Sequence, residues 1–366
     1  MTVMGAELAP VVWFDELEGD VRAAAGGESA SLVEMRRAGF PVPPGFAITV
    51  AAFEWFGAET GVTAQVERIV AKTDPDSTES LQAASEQIEA LAARVRLPAS
   101  LLGLIESAYQ RMGRETGEDD PAVAVRSSAV GEDSAEASFA GQQETYLWVR
   151  GLADVELAVR RCWASYFSPQ ALSYRARLSG GHGIGTVGMS VGVQQMVDAS
   201  VAGVMFTRSP TTNDRSIIAI EAGLGLGVAV VAGEITPDQI WVNKVTRAIV
   251  KRQPGYKQVR YVPNRETGGT LCLDVPEDEA TRPCLDDETA KQVAEYGVRL
   301  ERHYGAAQDV EWALTPGADG MQTIVLLQSR PITTGRAQGP VATPLPSQTD
   351  YVVQQLLATS KKKIEL

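Results

Sequence analysis

Hydrophobic and polar residues alternate along this chain in two different ways, which divide it into a helix-rich part and a strand-rich part. Residues 63–116 carry aliphatic side chains at helical spacing, as in LQAASEQIEALAARV, and predict a helical segment interrupted near Pro75 and Pro98. From Val187 onward, short β-branched runs such as SVGVQQMV and SIIAIEAG are separated by turn residues. These runs predict an antiparallel or mixed sheet.

Further stretches extend this pattern towards both ends of the chain. ESASLVEMRRAG, which ends at Gly39, predicts a helix, residues 122–148 predict strand, loop and strand, and residues 151–178 predict another helix. DDETAKQVAEYGVRLERHYG predicts a last helix, and VEWAL and TIVLLQSRPI predict the final two strands. After Thr334 the composition turns to Gly, Pro, Gln, Thr and Ser, so we expect residues 337–366 to form a flexible tail.

Composition and charge narrow the class of protein. The 366 residues, of which 44% are hydrophobic, are enough to bury the core of two or three lobes. A net charge of −13 provides no general electrostatic reason to bind nucleic acid or an anionic membrane. The three cysteines are widely spaced, which fits neither a disulfide framework nor a zinc site and favours a reducing cytoplasm. Because no signal-peptide pattern or membrane-length apolar run is present, we expect a soluble, cytoplasmic protein.

The most informative stretch is AVAVRSSAVGEDSAEASFAGQQETYLWV, at residues 122–149. An arginine and two serines leave an apolar strand, and a small, polar loop follows them. A guanidinium group and backbone N–H groups in such a loop can close over a polyphosphate. The stretch therefore predicts a site for a polyphosphate.

This stretch resembles the signature of the nucleotide-binding domain of phosphoenolpyruvate synthase, pyruvate phosphate dikinase and rifampin phosphotransferase. Further motifs follow in the family's order between about Glu18 and Thr334, namely GGESASLVEMRRAGFPVPPGFAIT, VQQM, GVMFT, QDVEWAL and LLQSRPITT. The resemblance implies an α+β, ATP-grasp-like fold with two lobes. We expect the N-terminal lobe at 1–190, with the helical segment as an insert and a phosphate loop at 125–145. The C-terminal lobe, at 191–336, would carry the strands that bind Mg-ATP.

The resemblance also implies roles for individual residues. Seven positions match residues that contact the nucleotide or its metal in the family: Arg126, Gly141, Thr145, Gln194, Glu311, Gln328 and Arg330. Arg126 and Arg330 match the phosphate-binding, catalytic arginines, and Glu311 and Gln328 match the pair that holds Mg²⁺. Such a pair suits Mg²⁺, which accepts a few protein oxygens while the triphosphate supplies others. Because Gln328 and Arg330 lie two residues apart on a predicted strand, they should point to the same face.

Some of these residues also have an ordinary structural explanation. An arginine at the end of a strand, such as Arg126, is usually solvated or paired, and Glu311 could be a salt-bridge partner. His182, in GGHG, could be a phosphocarrier or simply a solvated loop residue. We expect His303, at the end of a predicted helix, to cap that helix or to pair there.

Two positions depart from the family pattern. Glu28 stands where family members carry lysine, and a carboxylate beside a triphosphate is repulsive unless a metal or an arginine intervenes. Val228 stands where the family has glutamate, and it also leaves GLGLG at 223–227 without the third glycine of a dinucleotide fingerprint. We interpret GLGLG as a turn. The two changes allow either a compensated rearrangement of the site or weak, altered use of nucleotide.

The family transfers a phosphoryl group from Mg-ATP to a histidine on another domain. This step requires mainly positioning and charge neutralisation, which two arginines and Mg²⁺ provide without a nucleophile in this chain. The sequence to Leu366 contains neither the family's histidine domain nor its substrate barrel, so we expect an excised domain or one subunit of a split enzyme. The architecture is most similar to the ATP-binding subunit of phenylphosphate synthase.

We therefore expect an ATP-dependent phosphotransferase of the dikinase type that works with a histidine-bearing phosphocarrier subunit. The partner would hold a phenol or another small hydroxyl acceptor, and AMP and phosphate would be the other products. An excised ATP-binding domain of a phosphoenolpyruvate synthase or rifampin phosphotransferase is one alternative. A non-catalytic, nucleotide-sensing regulatory subunit is another, and Glu28 and Val228 motivate it.

Overall fold

The computed structural model describes residues 9–129, 144–178, 188–317 and 322–332, with residues 175–178 described by their backbone alone. Within these ranges the chain forms a five-stranded sheet, a six-stranded sheet and a two-stranded ribbon, surrounded by helices. The predicted α+β class is therefore confirmed. None of the described helices is long and apolar enough to cross a membrane.

The five-stranded sheet has the order β1-β2-β5-β3-β4, and all of its strand pairs are antiparallel. Its strands are β1 (Val11–Trp13), β2 (Gly45–Ile48), β3 (Val123–Ala129), β4 (Thr145–Val149) and β5 (Met189–Gln195). The helices of this part are α1 (Val21–Arg37), α2 (Val50–Thr60), α3 (Val62–Val70), α4 (Thr78–Arg94), α5 (Ala99–Thr116), α6 (Leu152–Ser165) and α7 (Pro169–Leu178). The segment predicted to be helical, 63–116, covers α4, α5 and all of α3 except its first residue, Val62.

The six-stranded sheet has the order β13-β12-β6-β7-β8-β9, and its strand pairs are also antiparallel. Its strands are β6 (Val201–Phe206), β7 (Ile217–Leu224), β8 (Asp238–Asn243), β9 (Ile249–Gln253), β12 (Gln308–Pro316) and β13 (Gln322–Pro331). The ribbon consists of β10 (Val259–Pro263) and β11 (Thr270–Asp274), and the helices are α8 (Val228–Val231), α9 (Glu277–Ala280) and α10 (Asp287–Tyr304).

The predicted lobe boundary at residue 190 lies inside β5. This strand pairs with β2 and β3, so the first sheet continues to Gln195 and the second sheet begins with β6 at Val201. The division into domains remains a prediction, but the sheets change after Gln195.

Alternation along β3 gives the first sheet two different faces. Val123 and Val125 are buried in a core that they share with α2 to α6, whereas Arg126 points to the other face. That other face receives α1, whose Leu32 and Val33 belong to a core shared with the second sheet and α10. Helix α1 therefore lies between the two sheets and connects them.

Local sequence explains where the helices begin and end. Asp286 accepts a hydrogen bond from the Thr289 N–H at 2.7 Å and caps the start of α10. Gly305 ends the same helix in the left-handed region, at φ 66°. Gly39, predicted as a helix stop, follows α1 with φ 75°.

Candidate functional site

The side chain of Arg126 lies where three elements meet. Its Nη1 atom is 3.1 Å from Oε1 of Glu28, which lies on α1. The same Nη1 is 3.5 Å from Oε2 of Glu311 on β12 and 3.5 Å from Oε1 of Gln328 on β13. One guanidinium group from the first sheet is thus surrounded by oxygen atoms from α1 and from the second sheet.

The register of β12 with β13 brings the polar side chains of these two strands together. Glu311 is paired directly with Gln328, and Asp309 is paired with Arg330. Because side chains two residues apart share a face of a strand, these four side chains lie next to one another. Arg330 Nε donates a hydrogen bond to Asp309 Oδ2 at 2.9 Å.

A cleft of about 250 Å³ lies beside Arg126 and is lined by Asp309, Glu311, Gln328 and Arg330. The other residues that line it are Val204, Phe206, Glu221, Val230 and Val231. The cleft therefore combines a polar floor on β12 and β13 with apolar walls from β6 and α8. An apolar wall beside convergent polar groups is typical of a small-molecule site.

A glycine lets α1 approach β3 closely enough to bring Glu28 to Arg126. Gly26 has φ 70° inside α1, and a Cβ atom there would lie 2.3 Å from Ser128 O. Ser128 Oγ in turn accepts a hydrogen bond from the Ser29 N–H at 3.1 Å. Any larger residue at position 26 would separate the helix from the strand.

A second contact connects α1 with the six-stranded sheet. Ser31 Oγ donates a hydrogen bond to Ser329 O at 2.6 Å, next to Gln328 on β13. The residues of α1 that flank Glu28 thus contact both sheets, and this fixes the carboxylate between them.

Burial makes the charges in this cluster interdependent. The side chain of Glu28 is 4% exposed and that of Arg126 is 11% exposed. Burial raises the pKa of Glu28, and Arg126 offsets this effect only in part. Burial opposes the charge of Arg126, but Glu311 and Glu28 raise its pKa above the usual value, so the guanidinium remains charged.

Carboxylates outnumber arginines around the cleft. Glu28, Asp309 and Glu311 face Arg126 and Arg330, and the two arginines already have acidic partners. A triphosphate that enters the cleft must therefore displace these carboxylates or bring a cation with it.

Several buried polar atoms on this side of the first sheet have no hydrogen-bond partner among the described residues. They include Gln194 Nε2 and Arg126 Nε. Gln194 is 2% exposed and pairs with Ala124 on β3, which places it diagonally across from Arg126 on the same face. Because buried donors are normally satisfied, such donors indicate a place for a ligand with acceptor atoms.

The remaining predicted residues have different outcomes. Thr145 is paired with Arg126 across β3 and β4, and its side chain is exposed. Gly141 and His182 lie outside the described residues. His303 lies near the end of α10 and packs edge-on against the rings of two aromatic neighbours.

Sequence reasoning did not single out Asp309 or Glu221, which both line the cleft. The spacing contains a signal for Asp309, because it precedes Glu311 by two residues and must share its face of β12. Glu221 is brought to the cleft by the pairing of β6 with β7, which no local pattern predicts.

The residues present fit a magnesium ion that is also bound by phosphate. Glu311 and Gln328 offer a carboxylate and an amide oxygen, which both lie 3.5 Å from the charged Nη1 of Arg126. These are the ligand types that Mg²⁺ takes when a nucleotide completes its coordination. The described part of the chain contains no group of three or more His, Cys, Asp or Glu residues that could hold a metal ion.

Comparison with known proteins adds an independent finding. The family model described as pyruvate phosphate dikinase, AMP/ATP-binding domain, matches residues 22–349. A probable phosphoenolpyruvate synthase of Methanothermobacter thermautotrophicus is 42% identical over 324 residues, which are 88% of this chain and 46% of that protein. The phosphoenolpyruvate synthase of Pyrococcus furiosus is 40% identical over 361 residues, covering 88% of this chain and 44% of that protein.

The chain thus spans less than half the length of these two relatives. Among solved structures, D-alanyl-alanine synthetase A from Vibrio cholerae covers 68% of this chain and 54% of its own, with 12% identity and a TM-score of 0.26.

Proposed function

The chain belongs to the pyruvate phosphate dikinase AMP/ATP-binding domain family, and we propose that it binds Mg-ATP in the cleft beside Arg126 and passes a phosphoryl group to a histidine on a partner chain. One observation carries this proposal. Arg126 from the first sheet converges with Glu311 and Gln328 from the second sheet, and Arg330 lies on the same cleft. A cation of the first sheet therefore lies beside the oxygen atoms and the arginine that the second sheet contributes to this cleft.

Binding of the nucleotide requires Arg126 to exchange partners. Its Nη1 now faces Glu28 and Glu311, and it would leave both in order to bind phosphate oxygens. Glu311, once released, would hold Mg²⁺ together with Gln328. The metal would neutralise charge on the phosphates, and the buried arginine would add to this neutralisation.

Arg330 would supply a second phosphate contact. It is now paired with Asp309, and burial raises the pKa of that carboxyl group even though Arg330 partly offsets the effect. An arginine with a single carboxylate partner keeps other N–H donors for a phosphate. Gln194, whose Nε2 has no hydrogen-bond partner in the described part of the chain, would donate a hydrogen bond to the nucleotide.

The overall reaction would be of the dikinase type. ATP, water and a hydroxyl acceptor would give AMP, phosphate and the phosphorylated acceptor, with a histidine of the partner as the intermediate carrier. The acceptor, a phenol or another small hydroxyl compound, would bind to the partner. This chain would supply the nucleotide site.

A second candidate has its own support. Both relatives named above are phosphoenolpyruvate synthases or probable ones, and the chain covers less than half of each. The chain would then be the ATP-binding part of such an enzyme, with the same phosphate and metal contacts. A regulatory, nucleotide-sensing role is a third candidate, because Glu28 occupies Arg126 and opposes the entry of phosphate.

Isothermal titration with ATP and Mg²⁺ tests the site. We expect saturable binding that Arg126→Ala weakens by about 10- to 100-fold, because charge-assisted hydrogen bonds contribute about 1.5–3 kcal/mol. Arg265→Ala is the matched control, since Arg265 is 66% exposed and pairs with Asp198 at the surface. Absence of binding, or equal binding by the Arg126→Ala chain, would contradict the proposed site.

A phosphohistidine assay separates the catalytic and sensing roles. The chain is incubated with Mg-ATP labelled at the β-phosphate and with the histidine-bearing partner, recovered by pull-down from the native source. Acid-labile label on the partner is the expected result. ATP binding that responds to Arg126→Ala, without any label on the partner, would instead support the nucleotide-sensing role.

A further inference from the structure

A second and larger cavity, of about 530 Å³, lies among the helices that cover the first sheet. Its lining comes mainly from α2, α3, α4 and α6. Phe56, Val66 and Trp163 line it and belong to the same core as Val125, so the cavity lies on the face of the sheet opposite to Arg126. It is therefore separate from the proposed nucleotide site, and nothing in the proposed function uses it.

The size of this cavity is that of a ligand site. Protein interiors rarely leave voids much larger than a water molecule, whereas small-molecule sites usually enclose about 300–1,000 Å³. The aromatic wall is itself well packed: the rings of Phe56 and Trp163 stack with centroids 5.0 Å apart. Phe53 meets Trp163 edge-on at 5.7 Å and Tyr166 at 6.4 Å. These rings therefore pack against one another along one wall of the cavity.

Buried polar atoms of this wall, Trp163 Nε1 among them, have no hydrogen-bond partner among the described residues. Trp163 is 2% exposed, and its Nε1 has no hydrogen-bond acceptor among the described residues. A buried indole N–H is normally hydrogen-bonded, so this donor suits an acceptor atom of a ligand. Arg160, which also lines the cavity, donates from Nη1 to Ala92 O, and its Nε, which has no hydrogen-bond partner among the described residues, lies 3.5 Å from Glu156 Oε1 in an ion pair.

The charged residues of the lining set the charge of the ligand. Glu54 and Glu67 line the cavity and are exposed to solvent, so they lie on its open side. Arg160 pairs with Glu156, a carboxylate that it shares with Arg96. The entrance is therefore acidic and disfavours an anion.

We propose that this cavity binds a small, flat aromatic molecule that has one hydrogen-bond acceptor and no negative charge. The rings of Phe53, Phe56 and Trp163 contact its faces and edges, and Trp163 Nε1 donates to its acceptor. The acidic entrance excludes carboxylates and phosphates, so ATP is not the ligand of this site.

Titration of the full chain with three related probes tests the inference. Quinoline is a neutral aromatic bicycle with one acceptor nitrogen, naphthalene has the same shape without the acceptor, and 2-naphthoate adds a negative charge. The readout is the ¹⁵N-indole spectrum, which is simple because the chain contains six tryptophans. The Trp163 signal is assigned by its absence from the Trp163→Phe chain.

We expect quinoline to shift the Trp163 indole signal saturably in the wild-type chain. Naphthalene and 2-naphthoate should bind more weakly, and Trp163→Phe should weaken quinoline binding, measured by calorimetry, by about three- to tenfold while leaving naphthalene binding unchanged. Ala92→Phe, which places a ring in the cavity, should weaken quinoline binding at least about tenfold. Ala90→Phe, on the exposed side of the same helix, should have no effect.

Three results would overturn the inference. The first is no saturable shift of the Trp163 signal with quinoline, which is also the expected result if part of this chain occupies the cavity. The second is equal binding of quinoline and 2-naphthoate. The third is quinoline binding that a folded Ala92→Phe chain retains, and the wild-type indole shift decides the outcome if that variant does not fold.

Discussion

Glu28 and Arg126 form a buried ion pair: Oε1 of the carboxylate lies 3.1 Å from Nη1 of the guanidinium, and neither side chain is more than 11% exposed. The carboxylate occupies the position at which the resemblance to dikinases predicts a lysine. A lysine there would add positive charge beside the proposed phosphates, whereas Glu28 neutralises the arginine that should bind them. The affinity of this chain for nucleotide should therefore depend on how easily Arg126 leaves Glu28.

Replacement of Glu28 should strengthen nucleotide binding. Glu28→Gln removes one negative charge from the proposed phosphate site without changing its shape, so we expect ATP to bind about tenfold more tightly in the presence of Mg²⁺. Calorimetry measures the change. Glu156→Gln is the matched control, because Glu156 is an equally buried carboxylate that pairs with Arg96 and Arg160 away from the cleft. Unchanged or weaker binding by Glu28→Gln would show that Glu28 does not oppose the nucleotide.

Nucleotide binding should also take up protons. Burial raises the pKa of Glu28, and Arg126 is the partner that most opposes this rise. When phosphate takes Arg126 away, the pKa of Glu28 rises further, so the carboxyl group gains a proton and affinity increases as pH falls towards that pKa.

Calorimetry in buffers of different ionisation enthalpy counts the protons taken up. Wild type should take up more protons than Glu28→Gln at the same pH. Equal uptake by the two chains would assign the protons to the nucleotide or to other groups.

Replacement of Glu311, on β12, should weaken the binding of Mg²⁺ more than the binding of ATP. In Glu311→Gln we expect the Mg²⁺ concentration that half-saturates ATP binding to rise at least about tenfold, because a charged oxygen ligand is lost. ATP binding without metal should not weaken, since a carboxylate next to Arg126 is gone. Glu301→Gln should leave the Mg²⁺ dependence unchanged, because Glu301, on α10, pairs with Lys244 and does not line the cleft. An unaltered Mg²⁺ dependence in Glu311→Gln would place the metal elsewhere.

A buried ion pair in the second part of the chain should control stability instead of binding. Lys257 Nζ lies 2.5 Å from Asp238 Oδ1, and the two side chains are 0% and 2% exposed. Lys257→Met should lower the free energy of unfolding by about 3–5 kcal/mol, because it leaves a carboxylate buried without its cation. Urea denaturation measures the loss. Arg282→Met, which breaks an exposed pair with Asp278, should cost no more than about 1 kcal/mol.

The Asp238 carboxylate should also make the free energy of unfolding depend on pH in the acid range. Burial alone would raise the pKa of Asp238, but hydrogen bonds from Lys257 and from the backbone N–H groups of Gly255 and Cys284 bring it below the usual value. A lowered pKa stabilises the fold at pH values above the ordinary carboxyl range, and this contribution disappears as pH falls through the lowered pKa. The fall in unfolding free energy between mild and strong acid should therefore be smaller in Asp238→Asn than in wild type. An equal fall would assign the acid sensitivity to other carboxyl groups.

Local sequence was sufficient for much of the fold and for part of the site. The change from helical to strand spacing predicted the helices of 63–116 and the strands after residue 187. The two-residue spacing was enough to place Gln328 and Arg330 on one face of their strand. These features depend on neighbours in the chain, whose geometry follows from the periods of helix and strand.

Only the tertiary structure decided which of these side chains meet. Arg126 and Glu28 are 98 residues apart, and they touch because Gly26 allows α1 to pack directly on β3. Arg126 and Gln328 are 202 residues apart, and their contact requires α1 to connect the two sheets. Contacts over such separations arise from the packing of whole elements, which no local hydrophobic pattern specifies. The sequence therefore determined the strands and their faces, and the packing of α1 between the sheets determined the charge cluster.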